Sequence, residues 1–292
     1  GGVINWTAKS SILQMMTDRE RLPVDLKVAI SNWLGLDGDL TVLDKLPSLT
    51  NDTKLIEMTR LAVMKNLSSC EPELAAAQIS ANPELFSTEI LENVATELAK
   101  HSLPEFLNFL QDLPQLRQDQ AMVAAISADV IPFESAQSHL ASILTRNDPS
   151  SREITIAIEA LAQRIGMNDP AAGIGWASSL PEGLPKENAI KSLAQVWSAW
   201  DPFSVAAWLN DGPRGNSYDH AVSVFAAEIP DDPDTAAAWI STVSDPNLRE
   251  TGLAELLGPM ARDEPKRAAA IIEKLSIPEV ERVKIGKILG ID

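Results

Sequence analysis

The segment Ser217-Tyr218-Asp219-His220 contains, in name, the nucleophile, the acid and the base of a hydrolytic relay. Adjacent residues on a helix point in different directions, so these side chains are not expected to form a relay among themselves. We interpret Ser217 and Asp219 instead as residues at the start of a helix, where a carboxylate faces the positive end of the helix dipole. The segment therefore predicts a helix start and no catalytic residue.

The acidic run Asp231-Asp232-Pro233-Asp234 resembles a metal site, but it has neither the turn glycine nor the closing glutamate of a calcium loop. We interpret it as a helix cap followed by acids of the first turn. His101 and His139 stand apart from each other, and Cys70 is the single cysteine. Glycine-rich phosphate loops are also missing from the sequence. The sequence thus predicts no metal site and no cofactor.

Two tryptophans on one predicted helix are candidates for binding a partner. Trp197 and Trp200 are spaced to lie on one face, where burial in the core is favoured and a place in a binding groove is the alternative. The stretch 210–216 is the longest polar break in the regular part of the chain, and such loops often carry recognition. The candidate partner-binding residues are therefore Trp197, Trp200, Arg214, Tyr218 and His220.

A recurring proline shows how these residues must be positioned. Prolines stand at 72, 104, 132, 170, 202, 233 and 265, with successive gaps of 32, 28, 38, 32, 31 and 32 residues. A tryptophan follows three of them by six residues, as Trp176, Trp208 and Trp239. Because Ile271 and Leu110 hold the matching place elsewhere, the slot is interpreted as a core position. A fixed period of this length is typical of a stacked repeat array.

One repeat shows the elements of which the array is built. Asp169 is expected to cap a helix that begins at Pro170, since proline in the first turn loses no hydrogen bond. Trp176 lies on the apolar face of that helix, and Leu180-Pro181-Glu182-Gly183 ends it. A second helix begins near Pro185. No run alternates as a strand would, so the sequence predicts an all-α protein.

The predicted architecture is an α-α superhelix, or solenoid, of about seven helical hairpins preceded by a helical N-terminal cap. The cap is expected over residues 1–70 and the repeat array over 71–292, with a separate small domain as the alternative for 1–70. The predicted units begin near residues 71, 103, 131, 169, 201, 232 and 264. Helices are expected at Ala8–Thr17, Val24–Trp33, Thr53–Leu67 and Pro83–Lys100. The last helix of the chain, which begins near Pro278, is expected to have an apolar stripe of Val280, Val283, Ile288 and Leu289.

The hairpin period, the helix-opening proline and the tryptophan six residues later resemble degenerate tetratricopeptide-like or HEAT-like repeat arrays. Trp176, Trp208 and Trp239 match the early tryptophan of the tetratricopeptide family. The period here is mostly 31 or 32 residues, against about 34 in that family. The Asp-Pro and tryptophan pattern also resembles helical repeats of unassigned function in bacterial proteins. The resemblance implies a helical solenoid and does not imply a particular partner.

The charge of the chain bears on its partners. The net charge of −17 and the isoelectric point near 4.6 oppose binding to nucleic acid and docking on anionic lipid. No apolar run reaches the length of a membrane span, so we expect no membrane insertion. The sequence leaves a cytoplasmic and an exported location open, because Gly1-Gly2 is typical of an engineered or processed end. It also leaves the oligomeric state open.

These observations favour a non-enzymatic scaffold that binds a protein or a peptide segment, because stacked hairpins build an extended surface. The first helices would present small and polar residues five and eight places after the proline: Gly175, Ser178, Ala207, Asn210, Ala238 and Ser241. The alternative is a helical-toroid enzyme that acts on glycans or isoprenoids, although the acidic motifs of isoprenoid cyclases are missing. A DNA-binding helical array is a third hypothesis, which the negative charge opposes.

Overall fold

The computed structural model describes residues 23–36, 38–212, 215–229 and 231–291, together with Ser11. Within these residues every regular element is helical, which confirms the predicted all-α class. In the same part of the chain, no helix is both long enough and apolar enough to cross a membrane. Most of the predicted helix Ala8–Thr17 lies outside the described residues.

From residue 24 onward the α-helices are α1 (Val24–Gly35), α2 (Thr41–Leu49), α3 (Thr53–Cys70), α4 (Pro72–Ala81), α5 (Thr88–His101), α6 (Leu103–Gln111), α7 (Gln115–Ser127), α8 (Phe133–Leu144), α9 (Arg152–Asn168), α10 (Pro170–Ser179), α11 (Leu184–Ser198), α12 (Pro202–Asp211), α13 (Asn216–Ala227), α14 (Pro233–Ser241), α15 (Pro246–Asp263), α16 (Pro265–Lys274) and α17 (Glu279–Leu289). A short 3-10 turn, Pro83–Leu85, lies between α4 and α5.

The chain divides into two compact units, Gly1–Ser135 and Ala136–Asp292. In the first unit, α3 packs against α1, α4 and α5, and α5 packs against α6 and α7. In the second, α11 packs against its chain neighbours α10 and α12 and also against α9 and α13. Helix α15 repeats this arrangement with α13, α14, α16 and α17. Each of these helices thus packs on helices one or two places away in sequence. The predicted division at residue 70 stays a prediction.

The starts of the repeat helices follow the predicted capping chemistry. Each of the capping aspartates precedes a proline in the first turn, and its carboxylate accepts a hydrogen bond from a backbone N–H of that turn. These aspartates are Asp169, Asp201, Asp232 and Asp245. Glu71 and Glu264 hold the same place before Pro72 and Pro265 but make no such bond. Four of these proline-started helices therefore have an aspartate side-chain cap. The two that follow a glutamate have only the proline in their first turn.

The cores of the two units consist of the apolar stripes that helical spacing predicts. In the first unit, Leu34, Val42, Leu55 and Val63 lie in one buried cluster that joins α1, α2 and α3. In the second unit, the buried cluster at the C-terminal end draws on α13 to α17 and includes Ile240, Leu257 and Ile271. Helix α9 buries an apolar stripe at helical spacing, made of Ile154, Ile158, Leu161 and Ile165. Burial of these stripes is the main favourable term in folding such hairpins.

The predicted helix Pro83–Lys100 begins later than expected. Pro83 starts the 3-10 turn, Phe86 is extended, and the α-helix begins only at Thr88. The guanidinium of Arg117 donates hydrogen bonds to the backbone carbonyls of Phe86 (2.7 Å) and Pro83 (3.1 Å). Phe86 is also buried, so a contact with α7 holds this stretch in a non-helical form. A distant arginine therefore overrides the local helical pattern.

The predicted apolar stripe of the last helix was wrong at three of its four positions, and only Leu289 packs on the buried cluster. Val280 is 80% exposed, and Val283 and Ile288 are exposed as well, whereas Ile285 is fully buried. Helix α17 packs on α15 and α16 through the face that carries Ile285. Within the part of the chain that the structure describes, the apolar residues on its other face are exposed. Spacing alone indicated a stripe but not which face was buried.

Candidate functional site

Three aromatic side chains from consecutive helices of the second unit stack into what we call the aromatic cluster. The ring centroids of Trp197 on α11 and Trp208 on α12 are 5.7 Å apart, with the planes tilted by 35°. The centroids of Trp208 and Tyr218 on α13 are also 5.7 Å apart. Tilted pairs at this distance are a favourable aromatic geometry. The predicted candidates Trp197 and Tyr218 are thus brought together through Trp208.

The backbone at Gly212 packs against one side of the aromatic cluster. Gly212 follows α12, and a Cβ added there would lie 2.9 Å from the carbonyl oxygen of Trp208 and 3.2 Å from Cε1 of Tyr218. The first distance is below any normal contact, so a larger residue would displace Trp208 or Tyr218. Gly212 therefore lets the Tyr218 ring lie against the end of α12.

Two further aromatic side chains, Trp200 and Phe203, stand next to the cluster in sequence and are exposed. Trp200 follows the end of α11 and has 54% of its surface exposed, and Phe203 in the first turn of α12 has 87% exposed. We call this pair the exposed aromatic pair. The favoured prediction of core burial for Trp200 was wrong, because α11 ends at Ser198 and Trp200 lies in the turn that follows.

The other repeats show that the fold does not require aromatic residues at these two places. Trp200 and Phe203 lie two residues before and one residue after Pro202. The matching pairs beside the other six prolines are Cys70 and Glu73, Ser102 and Glu105, Val130 and Phe133, Asn168 and Ala171, Asp231 and Asp234, and Asp263 and Lys266. Ten of these twelve residues are small, polar or charged, and the exceptions are Val130 and Phe133 beside Pro132. Since a helix start of the same kind forms without aromatic residues at four of these prolines, the exposed aromatic pair serves no evident packing purpose.

A negative charge lies next to the exposed aromatic pair in sequence. Asp201 caps α12, and its carboxylate accepts a hydrogen bond of 3.1 Å from the backbone N–H of Ser204. Hydrogen bonds from the hydroxyl and the backbone N–H of Ser204 hold the pKa of Asp201 below its usual value. The carboxylate therefore stays ionised well into acidic solution. Two exposed aromatic side chains near an ionised carboxylate in sequence suit a partner segment that carries both apolar and basic groups.

The remaining predicted residues have different positions. His220 is half-buried on α13, and Arg214 lies outside the described residues. Asp219 is buried in the first turn of α13, where its two carboxylate oxygens accept hydrogen bonds from the backbone N–H groups of Ser244 and Asp245. The prediction that Asp219 lies at the start of a helix is confirmed. Its contact with the turn before α15 was not predicted from the sequence. A carboxylate engaged in this way positions a turn and does not act as a relay partner of His220.

Candidate metal ligands are dispersed over the part of the chain that the structure describes. No group of three or more His, Cys, Asp or Glu side chains in those residues is arranged to hold a metal ion. Cys70 is exposed at the end of α3, and His101 on α5 lies 3.1 Å from a carboxylate oxygen of Glu73. These residues therefore do not form a second chemical centre beside the aromatic cluster.

Comparison of the chain with protein-family models, curated proteins and solved structures gives no match. The likeness to tetratricopeptide-like arrays accordingly stays a prediction from the repeat pattern. The candidate site depends on its own geometry, which is a packed aromatic cluster beside an exposed aromatic pair.

Proposed function

We propose that this protein is a non-enzymatic helical-repeat scaffold that binds a segment of another protein, with the exposed aromatic pair as a main contact. The observation that carries the proposal is the exposure of Trp200 and Phe203 at places where five of the six other proline-started units have small, polar or charged residues. The sixth has Val130 and Phe133, and both of these are partly buried. Aromatic side chains are enriched among the residues that dominate binding energy at interfaces. An exposed pair of this kind is explained by a partner that covers it.

The packing of the helices supports a scaffold of stacked hairpins within each unit. In the second unit the second helices of the hairpins pack in succession, α9 on α11, α11 on α13 and α13 on α15. In the first unit α3, α5 and α7 pack in the same succession. Packing limited to near neighbours in sequence is the property that defines a solenoid. We therefore propose that the hairpins are arranged as in tetratricopeptide-like arrays.

The first helices of the hairpins offer a surface that a segment can approach closely. Gly175, Ser178, Ala207, Asn210 and Ala238 are exposed as the sequence predicts, and Ser241 is partly exposed. Small side chains leave room for the backbone of a partner, and the hydroxyl and amide groups supply hydrogen bonds. The proposed partner is thus a protein or peptide segment that meets the exposed aromatic pair at one edge of this surface.

Selection from a random library of displayed peptides on the intact protein tests the proposal. The selected peptides are then measured by fluorescence anisotropy against a variant that carries Trp200→Ala and Phe203→Ala. We expect binding to weaken about tenfold or more, since loss of an aromatic anchor has an effect of this size. A matched control carries Ile156→Ala and Val280→Ala, which remove two exposed apolar side chains elsewhere in the same unit.

The control variant is expected to bind within about twofold of the unmodified protein, because single exposed apolar residues outside an interface contribute little. Equal weakening in both variants would contradict a specific role for the exposed aromatic pair. A library that yields no binding peptide, together with a positive result in a hydrolase screen, would overturn the scaffold and favour the helical-toroid enzyme.

A further inference from the structure

We propose that a groove between α4 and α6 binds an arginine or lysine side chain of the partner segment. This inference depends on the proposed scaffold function, and it adds a second contact in the first unit. The groove has a volume of about 270 Å³ and is lined by α4, α6 and one residue of α5. Helices α4 and α6 are the first helices of two successive predicted hairpins and pack on each other directly. We call it the α4–α6 groove.

The floor of the α4–α6 groove is apolar. Ala76, Leu98 and Phe109 form it, and all three are buried in the fold. Arginine and lysine carry a stem of methylene groups that packs on apolar surface while the charged end stays in contact with polar groups. An apolar floor of modest width therefore suits the stem of a long basic side chain better than a small ion.

The rim of the α4–α6 groove carries three carboxylates and no basic residue. Glu73, Glu105 and Asp112 line it together with the amide of Asn108. Glu73 lies beside His101, but Glu105 and Asp112 form no ion pair with any of the described residues. Carboxylates without an ion-pair partner at the edge of an apolar floor attract a cation, and a guanidinium can donate hydrogen bonds to two of their oxygens at once.

The position of Asp112 is not explained by the stability of its own helix. Asp112 is the residue that follows α6 and ends it. A carboxylate at a helix C-terminus faces the negative end of the helix dipole, which disfavours the charge there. Glu105, by contrast, stands in the first turn of α6, where a negative charge is favourable. A bound basic group would compensate the unfavourable charge of Asp112.

The arrangement of the carboxylates distinguishes between a basic side chain and a metal ion. Glu105 and Asp112 stand at opposite ends of α6, seven residues apart, which is about 10 Å along a helix. The described residues contain no set of three acidic, His or Cys side chains arranged to hold a metal. Carboxylates spread along an open groove fit a segment that lies in it. The chain's net charge of −17 also repels an acidic segment.

The test uses the intact protein and a fluorescein-labelled peptide of eight residues in which two arginines alternate with leucine and alanine. A second peptide has glutamine in place of each arginine. Binding is measured by fluorescence anisotropy to the unmodified protein and to a variant with Glu105→Gln and Asp112→Asn. The control variant carries Glu84→Gln and Glu89→Gln, which remove the same charge from exposed acids of the same unit.

We expect the arginine peptide to bind about fivefold more weakly to the Glu105→Gln and Asp112→Asn variant, as expected for the loss of two partly exposed charge contacts. The control is expected within about twofold, and the glutamine peptide is expected to bind no variant better than another. Equal weakening in the two variants, or equal binding of the two peptides, would overturn the proposal. Competition by Ca²⁺ alone would assign the groove to an ion instead.

The Trp200→Ala and Phe203→Ala variant separates this inference from the proposed function. A library-selected peptide that loses affinity with that variant but not with Glu105→Gln and Asp112→Asn leaves the scaffold standing and rejects the α4–α6 groove. The reverse result supports the groove and rejects the exposed aromatic pair as the main contact. Retained binding in both variants would reject both contacts.

Discussion

The carboxylate of Asp219 accepts a hydrogen bond of 2.9 Å from the backbone N–H of Ser244, which is 25 residues later in the chain. Its second oxygen accepts from the backbone N–H of Asp245 at 3.0 Å. Asp245 in turn caps α15 through bonds to Asn247 and Leu248. A side chain in the first turn of α13 thus fixes the turn before α15. These two helices are the second helices of successive hairpins. This contact connects two successive hairpins by a side chain as well as by apolar packing.

Replacing Asp219 with alanine is predicted to destabilise the second unit by about 3 kcal/mol, because two backbone N–H groups lose a charged acceptor. Urea unfolding followed by tryptophan fluorescence measures the effect. Five of the seven tryptophans lie in that unit, at 176, 197, 200, 208 and 239, so the signal reports mainly on it. Asp219→Asn is expected to be intermediate, since an amide keeps one acceptor oxygen.

Asp211→Ala is the matched control, because Asp211 is an exposed acid at the end of the neighbouring helix α12. Its unfolding midpoint is expected to stay close to that of the unmodified protein. A midpoint for Asp219→Ala that equals the control would show that the two hydrogen bonds contribute nothing to the fold.

The capping aspartates predict how stability depends on pH. Hydrogen bonds from the side chain and backbone of Thr235 hold the pKa of Asp232 below its usual value, as Ser204 does for Asp201. A lowered pKa in the folded state means that the stabilisation is present above the ordinary pKa and is lost as the pH falls through the lowered one. Stability should therefore decline below about pH 4, and this decline should be smaller in a variant with Asp201→Ala and Asp232→Ala.

Urea midpoints measured between pH 6 and pH 2.5 for the unmodified protein and the double variant check this prediction. We expect a gap between the two proteins at pH 6 that narrows at acidic pH, because the protonated aspartates no longer act as charged caps. A gap that stays constant over the whole range would mean that these carboxylates stabilise the helices without their charge.

Capping was predictable from the sequence because it is local. Asp169 and Pro170 determine the start of α10 through contacts within one helical turn, and the structure confirms them. Of the three tryptophans assigned to the core from their spacing, Trp176 is buried, whereas Trp208 and Trp239 are half-buried. The helix class and many core positions could be predicted in this way, since helical spacing shows which apolar residues share a face. It failed for α17, where the buried face is the one that carries Ile285.

The remaining features depend on contacts between distant residues. The break at Phe86 depends on Arg117, and the role of Asp219 depends on Ser244. The exposure of Trp200 depends on where α11 ends, which spacing places only to within a few residues. The α4–α6 groove was missed because it joins two helices whose acids look like ordinary surface residues in the sequence.

A glycine at the crossing of α1 and α3 is predicted to be required for packing. A Cβ on Gly35 would lie 2.7 Å from both the carbonyl carbon and the Cβ of Ala62. Because backbone cannot move aside as a flexible side chain can, Gly35→Ala should destabilise the first unit by about 1–3 kcal/mol despite the better helix propensity of alanine. Thermal unfolding followed by circular dichroism at 222 nm measures this change.

Gly175 on α10 provides the opposite case for comparison. A Cβ placed there meets nothing within 4 Å, so Gly175→Ala should stabilise the protein by about 0.5–1 kcal/mol through helix propensity alone. If both substitutions stabilised the protein, α1 and α3 would have to be farther apart in solution than the structure has them.

The last prediction contrasts two tryptophans of the same unit. Trp176 is 5% exposed and Trp200 is 54% exposed. Truncating the first removes a large buried side chain, so Trp176→Ala should lower the free energy of unfolding by roughly 3–5 kcal/mol. Trp200→Ala should change it by less than about 0.5 kcal/mol, as is usual for exposed positions. Urea unfolding followed by circular dichroism at 222 nm is suitable, since neither substitution removes its signal.

The stability of Trp200→Ala also decides how its binding result is interpreted. If the variant is as stable as the unmodified protein, weaker peptide binding reports a lost contact and not a disturbed fold. If Trp200→Ala instead destabilises the unit as much as Trp176→Ala, the Trp200 ring must be packed in solution. Its hydrophobic surface would then be explained by the fold, and the argument for a partner at the exposed aromatic pair would depend on Phe203 alone.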